Sequence, residues 1–186
     1  MFSTLSDRFY KWAKGWLIIV LLILDGLLAG FLFPLIQSMM QDGQGGVQPL
    51  DVMLFANPEK IFSMIKRYGE YNRQFYRNVE LTVDLVYPIV YLFFLGLLIS
   101  WLFQRGFASD GPMRKYNIMP FGAWFFDLLE NTVIVNLLSV YPAQPVALAW
   151  ILVALIAVKW LFAGASILLI LIGLVMAIKN GFKKQV

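Results

Sequence analysis

Four apolar runs dominate the chain, at about Leu17 to Ile36, Leu81 to Phe103, Ile118 to Val140 and Val146 to Ile178. A helix needs about 20 predominantly apolar residues to cross the hydrocarbon core of a bilayer, and each run supplies them. The pattern predicts an all-α membrane protein: a four-transmembrane-helix bundle built as a single integral membrane domain over residues 1–186. The fourth run is longer than a straight crossing requires, so it must tilt strongly, kink or extend beyond the bilayer. Gly164 and Gly173 are its weak points.

The polar segment 41–78 has a pattern of its own. Gly43, Gly45 and Gly46 predict a flexible turn. Asn57-Pro58-Glu59 reads as a helix start, with Asn as N-cap, Pro at the first helical position and an acid in the first turn. Ile61, Phe62, Ile65 and Tyr68 then share one face, while Lys60, Lys66 and Arg67 lie elsewhere. This is an amphipathic helix in the first extracytoplasmic loop, resting on the outer bilayer surface or covering the mouth of the bundle. Gly69 is its breaking point, and Tyr71 to Val79 leads into the second span, one continuous helix being the simplest connection.

Composition agrees: 60% of the residues are apolar, 16% aromatic and 14% charged, against about 45–50% apolar and about 25% charged in soluble domains. The chain has no Cys and no His, which excludes disulfides, thiolate nucleophiles, His-ligated metals and every Ser-His or Cys-His pair. No cofactor and no metal is expected. The net charge of +4 is scattered over short loops, so it reads as topology rather than as nucleic-acid binding. Arg8, Lys11 and Lys14 precede the first span; Arg105, Arg114 and Lys115 fill the second loop; Lys179, Lys183 and Lys184 end the chain. The third loop, 141–145, carries no Lys or Arg, and the bases of the long first loop are offset by Asp42, Asp51, Glu59 and Glu70. Both termini are therefore expected in the cytoplasm of a multi-pass protein of the cell (inner) membrane. The first run could pass for a signal peptide, but Phe31 rather than Cys follows Leu28-Ala29-Gly30, no A-x-A-like site appears, and the run continues. It reads as an uncleaved span.

Asp25, Glu80, Asp84, Asp127, Glu130 and Lys159 fall inside or at the edge of the spans. A charge at mid-membrane costs about 2.5–3.5 kcal/mol on insertion scales, so such residues must face the bundle interior, pair or become neutral. Glu80, Asp84, Tyr87 and Tyr91 recur at helical spacing on one face of the second span; Asp127, Glu130, Asn131 and Ile134 do the same on the third. Pro88 frees a backbone carbonyl near Asp84. The faces predict a shared interior in which Lys159 pairs with Glu130 or Asp127. The alternative is that its long stem snorkels to an interface. Among the acids, Asp127 and Glu130 are expected to matter most and Glu80, at the edge, least. The competing account is structural glue, but interhelical hydrogen bonds contribute only about 0.6 kcal/mol each. Gly26-x-x-x-Gly30 is a close-packing signature, compatible with packing inside the chain or with a homodimer.

The Asp84-x-x-Tyr87-Pro88-x-x-Tyr91 motif and Phe126-Asp127-Leu128-Leu129-Glu130-Asn131 one span later resemble a family of bacterial four-span membrane proteins of uncharacterised activity. More remotely, the layout is similar to the EXPERA group, which includes emopamil-binding sterol isomerases and the sigma-2 receptor. That resemblance implies acids around a lipophilic cavity, parts for which Asp25, Glu80, Asp84, Asp127 and Glu130 are available. Sterol isomerases of the group use a His, and this chain has none.

Three functions remain open. Acids facing aromatic walls (Tyr87, Tyr91, Trp124, Phe125) suit a protein that binds or transports a lipophilic or cationic small molecule, with Asp25, Asp84, Tyr87, Tyr91, Asp127, Glu130, Asn131 and Lys159 as ligand-binding or proton-carrying residues. Interior acids on neighbouring helices also suit acid–base catalysis on a lipid-like substrate, although the Gly-x-Gly-Asp motif of intramembrane aspartyl proteases is absent. The third option is an accessory subunit of a larger membrane complex. Membrane lipid is a partner in every case.

Overall fold

A computed structural model describes residues 2–40 and 47–183. Gly43, Gly45 and Gly46, read as a turn, and Lys184 lie outside the described residues. The order is α1 (Phe2–Trp12), α2 (Gly15–Leu27), a π-helical turn (Leu28–Leu32), α3 (Phe33–Met39), α4 (Pro58–Arg67), α5 (Gly69–Glu80), α6 (Val83–Gly106), α7 (Pro120–Ser139) and α8 (Val146–Lys183), with short 3-10 turns at Leu50–Val52 and Pro112–Ile118. Four helical stretches are long and apolar enough to cross a membrane. The protein is an all-α, multi-pass membrane protein, and α1 and the last turns of α8 lie at the same end of the bundle, α1 against Asn117 and α8 against Gly106.

Its exterior fits hydrocarbon rather than water. Trp16, Phe31 and Leu161 are 63%, 66% and 70% exposed, and apolar surface of this extent would drive aggregation in water. The first span, α2 through α3, is interrupted by its π turn, where the Phe33 N–H donates to the Leu28 carbonyl five residues back. Pro34 explains the interruption, because it has no N–H to return to Gly30 and its ring crowds that carbonyl. The fourth span is not broken: α8 runs from Val146 to Lys183, about 57 Å at 1.5 Å per residue, and so extends beyond the hydrocarbon.

Gly173 is a packing notch rather than a weak point. A Cβ there would stand 2.9 Å from the Phe103 ring, and one at Gly106 would stand 2.9 Å from the Met176 Cβ. Gly122 is overlain in the same way by Phe162. These glycines seat α8 against α6 and α7. At Gly26 and Gly30, by contrast, a Cβ would meet no atom within 4 Å among the described residues outside its own helical turn. The glycine signature of the first span is thus not used for packing among the described residues.

The segment after the first span folds into a cap. Asn57 Oδ1 accepts the Lys60 N–H at 2.9 Å, as expected of an N-cap. Ile61, Phe62, Ile65 and Tyr68 are buried, in one cluster with Ile134, Leu137, Leu152 and Ile156 of α7 and α8. The apolar face of α4 therefore covers the bundle mouth instead of lying on lipid. Gly69, at φ +66°, separates α4 from α5 in a conformation that favours glycine. Helices α5 and α6 are not continuous, because Leu81 and Thr82 break them. The Tyr68 hydroxyl donates to the Gln48 carbonyl at 2.7 Å. Burial first, then the nearby Asp51 and Glu80 charges, hold this phenol well above its usual pKa, so it stays a donor.

The opposite end is closed by α1, where the sequence pattern suggested only a basic tail. Ser6 Oγ donates to Asn117 Oδ1 at 2.6 Å, and Asn117 Nδ2 donates to the Ser6 carbonyl at 3.1 Å and to Ser100 Oγ at 2.9 Å. Phe9 stacks on Phe93 with ring centroids 5.6 Å apart and meets Phe121 edge-on at 5.5 Å. A Cβ at Gly96 would fall on the Phe9 ring. Gly96→Ala is expected to lower stability by about 1–3 kcal/mol through overpacking. Adding it to Phe9→Ala should cost much less, which thermal unfolding of the single and double variants measures.

Candidate functional site

The site begins with a proline. Within α6, Pro88 cannot donate to the Asp84 carbonyl. That carbonyl instead accepts Asn131 Nδ2 from α7 at 2.8 Å. This bond locks the second and third spans together and aligns their polar faces. Next to Asn131, Glu130 is fully buried, and Asp127, one turn back, is 8% exposed. Lys159 of α8 meets both acids. Its Nζ lies 2.8 Å from Glu130 Oε2, 3.0 Å from Oε1 and 3.4 Å from Asp127 Oδ1. Lys159 therefore pairs inside the bundle and does not snorkel. The second Asp127 oxygen accepts the Tyr91 hydroxyl at 2.8 Å. Four side chains from three spans thus form one hydrogen-bonded unit.

Beside this unit lies a cavity of about 810 Å³, within the usual range for a small-molecule site. Asp25, Asp84, Tyr87, Tyr91, Asp127, Asn131 and Lys159 all line it. Glu130 does not; it stands behind Lys159 as a buried counter-charge. The Asp84 and Asp25 carboxyls have no hydrogen-bond or ion-pair partner among the described residues. Tyr87 bridges the walls, meeting Phe33 of the first span edge-on at 5.0 Å and Tyr91 at 5.4 Å.

The cavity also takes in residues that carry no charge or polar signal of their own. Ala29, Phe33 and Ile36 share the face of Asp25; Ala163 and Ile167 share that of Lys159. Their helical spacing from an interior charge was a usable signal. Asp51 was not foreseeable as a wall residue, because the cap brings it there: its Oδ1 accepts the Tyr76 hydroxyl at 3.1 Å. Of the expected aromatic walls, Trp124 and Phe125 do not line the cavity, and Phe125 is 51% exposed on the outside. Phe33, Phe94 and Trp160 stand in their place. Glu80 also differs from expectation. It stands at the start of the second span, as its position implies, but is 1% exposed, buried beneath the cap. No cluster suited to a metal ion occurs among the described residues.

Comparison with protein-family models, curated proteins and solved structures found no match.

Removing one partner of a buried ion pair costs about 3–5 kcal/mol because the other is left uncompensated. Lys159→Met is expected to destabilise the protein by that order, and Glu130→Gln added to it should recover a large part. Non-additivity in a double-mutant cycle, followed by thermal unfolding in detergent, checks the coupling.

Proposed function

We propose that this protein binds, and in a membrane passes on, a small molecule with a cationic group and an apolar body. One observation carries this reading. The cavity's single lysine is committed to Asp127 and Glu130, which leaves Asp84 and Asp25 facing the space without a basic partner. A ligand amine would supply the missing positive charge. The tyrosine and phenylalanine rings beside it would receive the cation on their faces and the apolar body on their edges. The Tyr91–Asp127–Lys159–Glu130 unit holds one wall rigid and gives a proton a route between groups already in hydrogen-bond contact.

The same reading places both termini in the cytoplasm of a bacterial inner membrane and the cap outside. Its support is the set of short loops: Arg105, Arg114 and Lys115 lie at the terminus end, whereas no Lys or Arg occurs in 141–145. Lipid is the surrounding partner. A second copy of the chain would meet the open Gly26 and Gly30 face of the first span.

Two measurements test the proposal. Asp84→Asn should weaken binding of dodecylamine at least tenfold and leave dodecanol unaffected, read by isothermal titration of the protein in nanodiscs; equal loss for both probes would remove the cationic requirement. For orientation, Ser63→Cys on the exposed face of α4 should react with an impermeant maleimide in intact cells, and Ser109→Cys should not. The Cys-free background makes the label unambiguous. Reaction at Ser109→Cys alone would invert the assignment.

A further inference from the structure

The cavity has two covered ends and one thin wall. At the cap end, Gln48, Pro49 and Asp51 lie over it, and Trp160 Nε1 donates to the Asp51 carbonyl at 3.5 Å. At the terminus end, Phe9, Phe93 and Phe121 fill the bundle. The second, third and fourth spans are joined by buried polar contacts and glycine notches. The first span is different. Among the described residues it packs chiefly on the second span and has at most marginal contact with the fourth. Leu17, Ile18 and Leu21 hold one end of it against α6, while Phe33 and Ile36 hold the other.

Even with those anchors the first span is only partly covered. No residue from Ile19 to Met39 is buried. Yet Asp25 and Ala29 of this stretch line the cavity, and so do Ala163 and Ile167 of α8 on the far side. Trp160 and Ile167 line it while remaining 45% and 53% exposed. The cavity is thus continuous with the lipid-facing exterior between the first and fourth spans. Ala29 on one side of this slot and Ala163 on the other are both small. One carboxyl oxygen of Asp25 is buried in the slot wall with no hydrogen-bond partner.

The distribution of polarity along the slot specifies what fits. From Asp84 to Leu95 the cavity extends about 16 Å along α6 at 1.5 Å per residue. Its cap half carries Asp84, Tyr87, Asp127 and Lys159; its other half is Phe94, Leu95, Ala163 and Ile167 apart from Asp25. A water-soluble cation would leave the apolar half unfilled. An uncharged lipid would leave the Asp84 carboxyl in the cap half without a partner, which is costly in hydrocarbon.

We infer that the site is loaded sideways from the bilayer, through the slot between the first and fourth spans, and that its ligand is a membrane-dissolved amphiphile with an amine head and a single apolar tail. The head sits against Asp84 and the tail runs along Ala163 and Ile167. This rests on the cation-binding reading above and adds to it the tail and the route.

The test uses a dodecylamine carrying a diazirine on its chain, presented to the full-length protein in nanodiscs. Photolabelling should map by mass spectrometry to α8 around Ala163 and Ile167. Filling the slot with Ala29→Trp or Ala163→Trp should reduce the yield at least tenfold in variants that still elute as folded protein. Ala29 is exposed on the loosely packed span, so its replacement is the safer of the two. Excess butylamine, which has the head but not the tail, should fail to compete in the unaltered protein; this arm needs no substitution. Undiminished labelling of a folded slot variant, or full competition by butylamine, would overturn sideways loading while leaving cation binding standing. Equal labelling by the matching dodecanol probe, or labelling insensitive to Asp84→Asn, would overturn both readings together.

Discussion

A charge in hydrocarbon needs its counter-charge within the same bundle, because lipid supplies none. Lys159 meets this constraint through Glu130 and Asp127, and the remaining architecture is arranged around that meeting. The third and fourth spans must approach closely enough for an ammonium to reach two carboxylates. Gly122 beneath Phe162 permits the approach. The second span must then present Tyr91 to the free Asp127 oxygen, which requires its face to be in register with the third. The result is a rigid three-helix unit with a polar interior and, against it, a first span that shares none of these bonds. Among the described residues, the rigid and the loose parts of the molecule meet at the cavity.

Much of this was legible in the chain. The apolar runs located the crossings, and the i, i+3 and i+4 recurrence of acids, tyrosines and Asn131 identified the inward faces, because an α-helix presents one side per 3.6 residues whatever surrounds it. Lys159 announced its pairing by being the lone base opposite several acids. Asn57 and Pro58 fixed the start of the cap helix through local backbone chemistry alone.

What the pattern did not reveal depends on distant parts of the chain. The docking of α1 rests on Ser6 finding Asn117 and on Phe9 finding Gly96, pairings without a periodic signature. Glu80 looked peripheral because it ends the polar stretch, yet the cap folds over it and removes it from solvent. Asp51 enters the cavity wall for the same reason. Phe125 looked like a wall because it neighbours Phe126 and Asp127, but adjacent residues of a helix point about 100° apart. The glycines invert their expected roles: the spaced pair in the first span is left open, while isolated Gly106, Gly122 and Gly173 carry the close contacts. Spacing shows that a helix can offer a groove, and only the assembled bundle shows whether a neighbour fills it.

The bond from Asn131 to the Asp84 carbonyl has an evolutionary consequence. Its acceptor is a main-chain atom, so no exchange of side chain at position 84 abolishes it; the acidic group there is free to vary with the ligand while the helix pairing persists. The obligation falls on two other positions. A chain that replaced Pro88 would give the carbonyl a partner in its own helix and no longer depend on the Asn131 amide, and a chain that kept Pro88 but lost the amide would strand the carbonyl in a dry interface. Positions 88 and 131 should therefore change together in descendants of this sequence, whereas position 84 drifts independently of both. Scaffold and specificity are inherited here on separate atoms of one residue.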